Sequence, residues 1–400
     1  MKSDIFVLIP CHVENSYSHL KTLNSSASNK YTDEYLEKMK NISASELVDR
    51  VSNSFERYFL GEYDLLVLAD ELSDSIANKK VIDLVKIKLF ITACERTRLS
   101  VLVGVICDYE GNPTNILDQI TREELVLQVN KRVKVSDFIK SEFQIIKNGE
   151  AKTCLIQNEK SSIDDVLYYM ATETNDSSLV DTKIISSKYY QLAVDNLAVY
   201  DFSDIYVSES VIYQVLHDED GNDRLQYEGL LIFIVELLVM QLSAVYRTNN
   251  KVAQALEENQ SINVKEYEKF SNEFANTLSI WQINIYRYKG AQTIANAIAE
   301  RFEIEKVRKN YKQNDEFLQS IINTRNVKNA MKESNILFYV AILLFIKDFY
   351  LIVKNIYLFF EGSQEVAFGD IFSISTSFVI LLIVLIIYHG RFRTIGKRKL

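Results

Sequence analysis

The sequence predicts an α/β cytoplasmic domain, a long helical stalk and a C-terminal hairpin of two transmembrane helices. In the first 110 residues, short apolar runs alternate with helical stretches, as they do in α/β proteins. No proline follows Pro113, so long uninterrupted helices are permitted in the rest of the chain. Two apolar runs near the C-terminus are long enough to cross a bilayer. We therefore divide the chain into residues 1–207, 208–334 and 335–400.

The α/β prediction depends on three apolar runs and the stretches between them. Strands are predicted at Asp4–Ile9, Tyr63–Ala69 and Val101–Cys107, and helices at Asp33–Phe59 and Asp74–Arg98. A β-α-β-α-β unit is expected to have parallel strands joined by crossover helices. Further strands are predicted at Phe143–Ile146, Thr153–Gln157 and Leu197–Val207.

Polar side chains follow each of the first three strands, where parallel sheets bind their ligands. The candidate ligand-binding residues are His12, Asp70, Glu71 and Asp108. They could bind a nucleotide-like ligand or a cation. However, acidic residues after strands are also ordinary caps and turn formers, and the chain has no GxGxxG or Walker-type loop. Both interpretations stay open.

Helical patterns dominate after residue 226. Helices are predicted at Leu230–Glu257 and Val264–Tyr288, and a third runs from Gln292 through Ser334 into the first span. Gly229–Val245 is also strongly apolar, but it is short and contains Glu236, which favours a helix buried in the core of the protein.

The two predicted spans are Ile336–Phe360 and Ile371–Tyr388. Basic residues precede the first span and follow the second, whereas the loop between them is acidic, so both termini are expected to be cytoplasmic. The N-terminus does not resemble a secretory signal, which agrees with this topology. We expect a multi-pass protein of the inner membrane.

A polar stripe interrupts the first span. At about 100° per residue, one third of the helix circumference carries Lys347, Asp348, Lys354 and Asn355. Such residues usually face a bundle interior or water. They could line a pore, pair between helices as assembly contacts, or extend towards the membrane surface. Two helices cannot enclose a pore, so the first interpretation requires a homo-oligomer.

Composition excludes some classes of function. The net charge of −9 argues against nucleic acid as a partner, because phosphates are bound by clustered cations. The four cysteines are scattered and indicate free buried thiols. The sequence shows no nucleophile–base pairing of the kind that enzymes use, so an enzyme is not predicted. No cofactor is predicted either.

An N-terminal α/β domain, a stalk helix, two C-terminal spans and the basic ending Lys397-Arg398-Lys399 together resemble the CorA-type magnesium transporter family. The resemblance implies a homo-oligomeric, pentameric ion channel gated through its cytoplasmic domain. The family's Gly-Met-Asn motif is absent, and Phe360-Glu361-Gly362-Ser363 stands in its place. The loop acids Glu361 and Glu365 are candidates for an outer cation-attracting ring.

Two functions are therefore expected from the sequence. The first is an oligomeric ion channel or transporter in the lipid bilayer, gated through the stalk. The alternative is an antiviral defence effector that disrupts the membrane when a nucleotide messenger binds the cytoplasmic domain. The antiviral alternative is an analogy with divergent members of the CorA-like superfamily that act as such effectors.

Overall fold

The computed structural model describes residues 2–13, 36–42, 55–69, 79–94, 99–157, 163–173, 194–200, 203–217, 224–257 and 286–362. The chain divides into two compact units, Met1–Asn314 and Asp315–Leu400. We call the first unit the body. The predicted boundary at residues 207/208 falls inside the body, in the turn between its last two strands.

The body is built on one mixed sheet with eleven described strands. The strands are β1 (Ser3–Val13), β2 (Phe55–Leu68), β3 (Val81–Cys94), β4 (Leu99–Tyr109), β5 (Val126–Gln128), β6 (Arg132–Lys134), β7 (Ile145–Lys147), β8 (Lys152–Gln157), β9 (Asp195–Tyr200), β10 (Ser203–Val207) and β11 (Val211–Leu216). Their order is β6-β5-β2-β3-β4-β1-β8-β11-β10-β9, and β7 pairs with β1. Among these strands, β8 and β11 are parallel and the other pairs are antiparallel.

Helices cover both faces of the sheet. They are α1 (36–42), α2 (Pro113–Thr121), α3 (Val135–Phe143), α4 (Ile163–Thr172), α5 (Arg224–Glu257), α6 (Lys289–Arg301) and α7 (Ile304–Phe360). Phe6 and Leu8 of β1 belong to one hydrophobic core with α5 and α6, whereas Ile5 and Val7 belong to a second core with α2, α3 and α4. Alternate side chains of β1 therefore fill two cores, and the strand is almost wholly buried.

The prediction of a parallel β-α-β-α-β unit is wrong. Strands β2 and β3 form a long antiparallel hairpin, and β3 pairs antiparallel with β4. The predicted helix Asp74–Arg98 is a strand over Val81–Cys94, and the last residues of the predicted helix Asp33–Phe59 belong to β2. The sequence Val85–Leu89 alternates apolar residues with lysines, which is the period of a strand, and its β-branched residues favour a pleated surface. The predicted strands at the positions of β1, β4 and β8 are confirmed.

The prediction of a buried apolar helix is confirmed. Gly229–Arg247 of α5 has a mean hydropathy of 2.1, and 89% of its most apolar window is buried. The continuous helix predicted from Gln292 is wrong at one point, because α6 ends at Arg301 and α7 begins at Ile304. Glu303 between them has a φ of 51°, a left-handed conformation that ends a helix. Most of the predicted helix Val264–Tyr288 lies outside the described residues.

Helix α7 contains the second apolar stretch, Ala330–Leu358, with a mean hydropathy of 2.3. None of its most apolar window is buried within the chain. The other predicted span, Ile371–Tyr388, lies outside the described residues. The transmembrane hairpin and the stalk therefore stay predictions.

Candidate functional site

The apolar stretch of α7 is the first candidate site. Its large hydrophobic side chains are exposed along its length, with Leu337, Leu343 and Tyr350 each about two thirds exposed. Burying one such side chain is worth about 1.5–3 kcal/mol. Soluble proteins seldom leave a continuous apolar surface of this length in water. The stretch has the surface of a segment surrounded by lipid or by other helices.

The four polar residues of the stripe in the predicted span Ile336–Phe360 fall into two pairs. Lys347 and Lys354 are exposed, whereas Asp348 and Asn355 are half-buried. Each pair is separated by seven residues, which is close to two turns of helix, so the members of a pair share a face. The predicted stripe is therefore two adjacent faces, one cationic and exposed, the other bearing the carboxylate and the amide and partly covered.

The helix ends beside one of the predicted loop acids. The Glu361 carboxylate accepts a hydrogen bond from the Tyr357 hydroxyl at 2.8 Å, and the Glu361 amide donates to the Tyr357 carbonyl. Gly362 follows with a φ of +70°, which a glycine adopts without strain. Glu361 is exposed, and Glu365 lies outside the described residues.

The structure does not bring His12 and Asp108 together. Asp108 lies at the end of β4 beside the start of β1, and its amide donates to the Asp4 carboxylate at 2.7 Å. His12 lies at the other end of β1, opposite Leu99. Eight residues of strand between Asp4 and His12 correspond to about 26 Å. The predicted cluster assumed parallel strands, and antiparallel pairing separates its members. Asp70 and Glu71 lie outside the described residues.

His12 belongs instead to a hydrogen-bond network with helix α5. Its Nδ1 is 2.7 Å from Oδ1 of Asn148, and the Asn148 amide donates to the Ser243 hydroxyl at 2.7 Å. Ser243 in turn donates to the Cys11 carbonyl at 2.8 Å. The network attaches α5 to β1 and to the end of β7. This contact supports the fold, and ligand binding by His12 stays a prediction.

The buried carboxylate of α5 is neutralised by a partner from the sheet. Arg57 of β2 donates to Glu236 at 2.5 Å, and the Thr92 hydroxyl donates to the same carboxylate at 2.8 Å. Both side chains of the ion pair are at most 5% exposed. The Arg57 guanidinium also lies 5.7 Å from the centre of the Phe233 ring. The partner is far away in sequence, so Glu236 alone could not have predicted this ion pair.

An acidic cleft of about 830 Å³ lies on the body. Its wall carries five carboxylates and one guanidinium, from Glu173, Asp195, Glu209, Glu300, Arg301 and Glu303. Arg301 donates to both carboxylate oxygens of Asp195, which lowers the pKa of Asp195. These residues come from four separate segments of the chain. No motif in the sequence joins them, and sequence reasoning missed the cleft.

A buried lysine lies close to this cleft. The Lys152 ammonium donates to the Glu209 carbonyl at 2.9 Å and lies 5.0 Å from the centre of the Phe302 ring. The side chain is 4% exposed, and burial lowers the pKa of its ammonium group. Several glutamates nearby, including Glu150 and Glu173, act in the opposite direction. Lys152 thus connects β8 to the junction of α6 and α7. Removing its ammonium group from water disfavours the charged form.

The cysteines are free thiols, and Cys11, Cys94 and Cys154 are buried, as the sequence predicted. Within the described part of the chain, no three His, Cys, Asp or Glu side chains are placed to hold a metal ion. Comparison of the chain with family models, curated proteins and solved structures gives no match. The resemblance to CorA-type transporters therefore stays a prediction.

Proposed function

We propose that this chain is a membrane protein that assembles as a homo-oligomer and forms an ion channel, with the body as its regulatory part. The observation that carries the proposal is the exposed apolar stretch Ala330–Leu358 of α7, none of whose most apolar window is buried. A helix of this length and hydropathy fits a hydrocarbon layer of about 30 Å. The lipid bilayer would then cover the apolar side chains.

The polar residues of the stretch support a pore rather than a simple anchor. Each charge in a span costs about 2.5–3.5 kcal/mol on insertion scales, and such charges mostly face a bundle interior or a water-filled cavity. One anchor helix needs no charge at its centre. Several copies around an axis give the charges of each copy a common aqueous lumen. The number of subunits, including the pentamer implied by the family resemblance, is part of the proposal.

Connection of the body to the pore would run through α7. Its first residue, Ile304, and the preceding Phe302 are buried in the core that contains α5 and α6. A rigid helix that begins in the core of a folded body could transmit a rearrangement there along its own axis. The nucleotide-gated alternative also stays a proposal: His12 and Asp108 lie at opposite ends of β1, so they would not bind one messenger together, and Asp70 and Glu71 lie outside the described residues.

The test uses the full-length protein in three steps. Alkaline carbonate should leave the chain in the membrane pellet; release into the supernatant would contradict membrane insertion. The mass of the detergent-purified protein, corrected for detergent, should be a multiple of 46.2 kDa, and a monomer would contradict the oligomer. Proteoliposomes should then leak salt above the level of protein-free vesicles. Absence of leak from an inserted oligomer would leave an anchor rather than a channel.

A further inference from the structure

The lysines of α7 form a separate cationic face. Lys347 and Lys354 are both exposed, and the structure shows no partner for either within the described part of the chain. Seven residues of helix place them about 10 Å apart along the axis and within about 20° of each other around it. Two ammonium groups thus lie one above the other on one side of the helix.

The acidic residue of the same stretch lies on a different face. Half-buried residues recur along α7 at alternating spacings of three and four, which defines a heptad seam: Ser334, Phe338, Ala341, Phe345, Asp348, Ile352 and Asn355. Asp348 lies on this seam, about 100° around the helix from Lys347. The carboxylate therefore lies at nearly the same depth as Lys347 but on a different face from the two ammonium groups.

Lys347 cannot reach the membrane surface. It lies near the middle of the predicted span Ile336–Phe360, about 17 Å along the axis from Ile336 and about 20 Å from Phe360. A four-carbon side chain is much shorter than either distance, so snorkelling does not hydrate its ammonium group. An aqueous lumen would supply the missing hydration.

We infer that, in the proposed oligomeric channel, Lys347 and Lys354 form two cationic rings around the lumen and make the pore selective for small anions. The inference depends on the proposed function and specifies its substrate class. Each subunit adds one ammonium to each ring, and in a narrow low-dielectric pore these charges attract anions and exclude cations. Chloride is the smallest physiological probe of this chemistry.

The loop acid at the end of the helix does not reverse this selectivity. Glu361 lies seven residues beyond Lys354 on the same face, but it is past the apolar stretch. Charges at the water boundary are screened within about 8 Å at physiological salt. The two lysine rings lie deeper, where screening is weaker, and selectivity is set there.

The experiment is electrical recording from the full-length protein in neutral bilayers, with a tenfold gradient of potassium chloride. The sign of the reversal potential should show permeation of chloride over potassium by about tenfold or more. Lys347→Gln together with Lys354→Gln should bring the permeability ratio towards one, and Lys347→Arg should keep it. Lys328→Gln is the matched control, because this lysine precedes the apolar stretch on the same helix.

The outcomes separate this inference from the proposed function. A protein without conductance would contradict the channel itself. A conducting protein that prefers potassium, or a chloride preference unchanged in the double glutamine variant, would overturn the lysine rings while leaving the channel intact. The reversal potential of the unmodified protein decides the sign of selectivity even if a variant fails to assemble.

Discussion

The two strongly apolar helical stretches in the described part of the chain have nearly the same mean hydropathy and opposite burial. Gly229–Arg247 and Ala330–Leu358 have mean hydropathies of 2.1 and 2.3, yet 89% of the first helix's most apolar window is buried and none of the second's is. Hydropathy measures how much a segment gains by leaving water, and it does not specify whether protein or lipid receives it. The polar residues of each helix carry that information.

In α5, the buried polar residues Glu236 and Ser243 have partners in or next to the sheet. Glu236 pairs with Arg57 and Thr92, and Ser243 bonds to Asn148 and to the Cys11 carbonyl. In the apolar stretch of α7, Lys347 and Lys354 have no partner shown within the described residues. Charges that are matched inside one chain indicate a core helix. Charges without a partner among the described residues leave open whether undescribed parts of the chain or other molecules complete the environment of the helix.

The largest predicted effect comes from breaking the ion pair of α5. Arg57→Met leaves the Glu236 carboxylate buried with the Thr92 hydroxyl as its remaining described donor, and it should destabilise the body by about 3–5 kcal/mol. Lys347→Met on α7 is the contrasting control and should change stability by less than about 0.5 kcal/mol. Denaturant unfolding of the detergent-purified protein, followed by near-UV circular dichroism, measures both.

Replacing both members of the pair sharpens this comparison. Arg57→Met combined with Glu236→Leu removes the uncompensated charge and should recover most of the lost stability, because apolar groups of similar volume replace buried ion pairs at little cost. If the single Arg57→Met variant were as stable as the parent, the pair would not be what allows α5 to lie in the core.

The sequence predicted those parts of the fold whose signals are local. The runs that became β1, β4 and β8 are short and β-branched, and the stretch Gly229–Val245 of α5 indicates a core helix because it is short and contains Glu236. The predicted helix Asp74–Arg98 contains β3, and the strand-like alternation Val85–Leu89 occupies a minor part of its 14 residues. The predicted direction of the strands was wrong for the same reason. Helices between strands imply crossover connections and parallel strands, whereas a hairpin makes its two strands antiparallel.

The candidate site residues show the same difference between local signals, which a sequence contains, and long-range contacts, which it does not. The composition of the α7 stripe was visible in sequence, but the separation of Lys347 from Asp348 required the exposure of each side chain in the folded helix. His12 was proposed as a ligand because it follows a strand, whereas its actual neighbour, Asn148, is 136 residues away. Long-range contacts of this kind leave no periodicity or motif in a single sequence.

A smaller effect is expected from the network that attaches α5 to β1. Asn148→Ala removes the hydrogen bonds to His12 and Ser243 in a buried region and should cost about 1–3 kcal/mol. Thr293→Ala is the control, because its hydroxyl bonds to the Lys289 carbonyl on an exposed helix surface. A loss of stability no greater than that of the control, in the same unfolding experiment, would show that water replaces the Asn148 contacts.

The smallest effect tests how the body tolerates a buried charge without a carboxylate partner. Burial lowers the pKa of Lys152, so the folded state binds the proton less tightly than the unfolded state. Lys152→Met should therefore be more stable than the parent at pH 7. This gain should shrink as the pH rises from the lowered pKa towards 10.5, where the unfolded lysine also loses its proton.

Lys306 is a matched control, because its pKa is shifted in the opposite direction to that of Lys152. Its hydrogen bond to Glu303 raises the pKa of the ammonium, so it contributes stability at neutral pH that is lost as the pH rises through the raised value. Lys306→Met should thus be slightly less stable than the parent at pH 7, and this deficit should close at high pH. Thermal unfolding of the three proteins between pH 7 and 11 gives both differences. A stability difference for Lys152→Met that does not change over this range would mean that folding does not lower the pKa of the Lys152 ammonium.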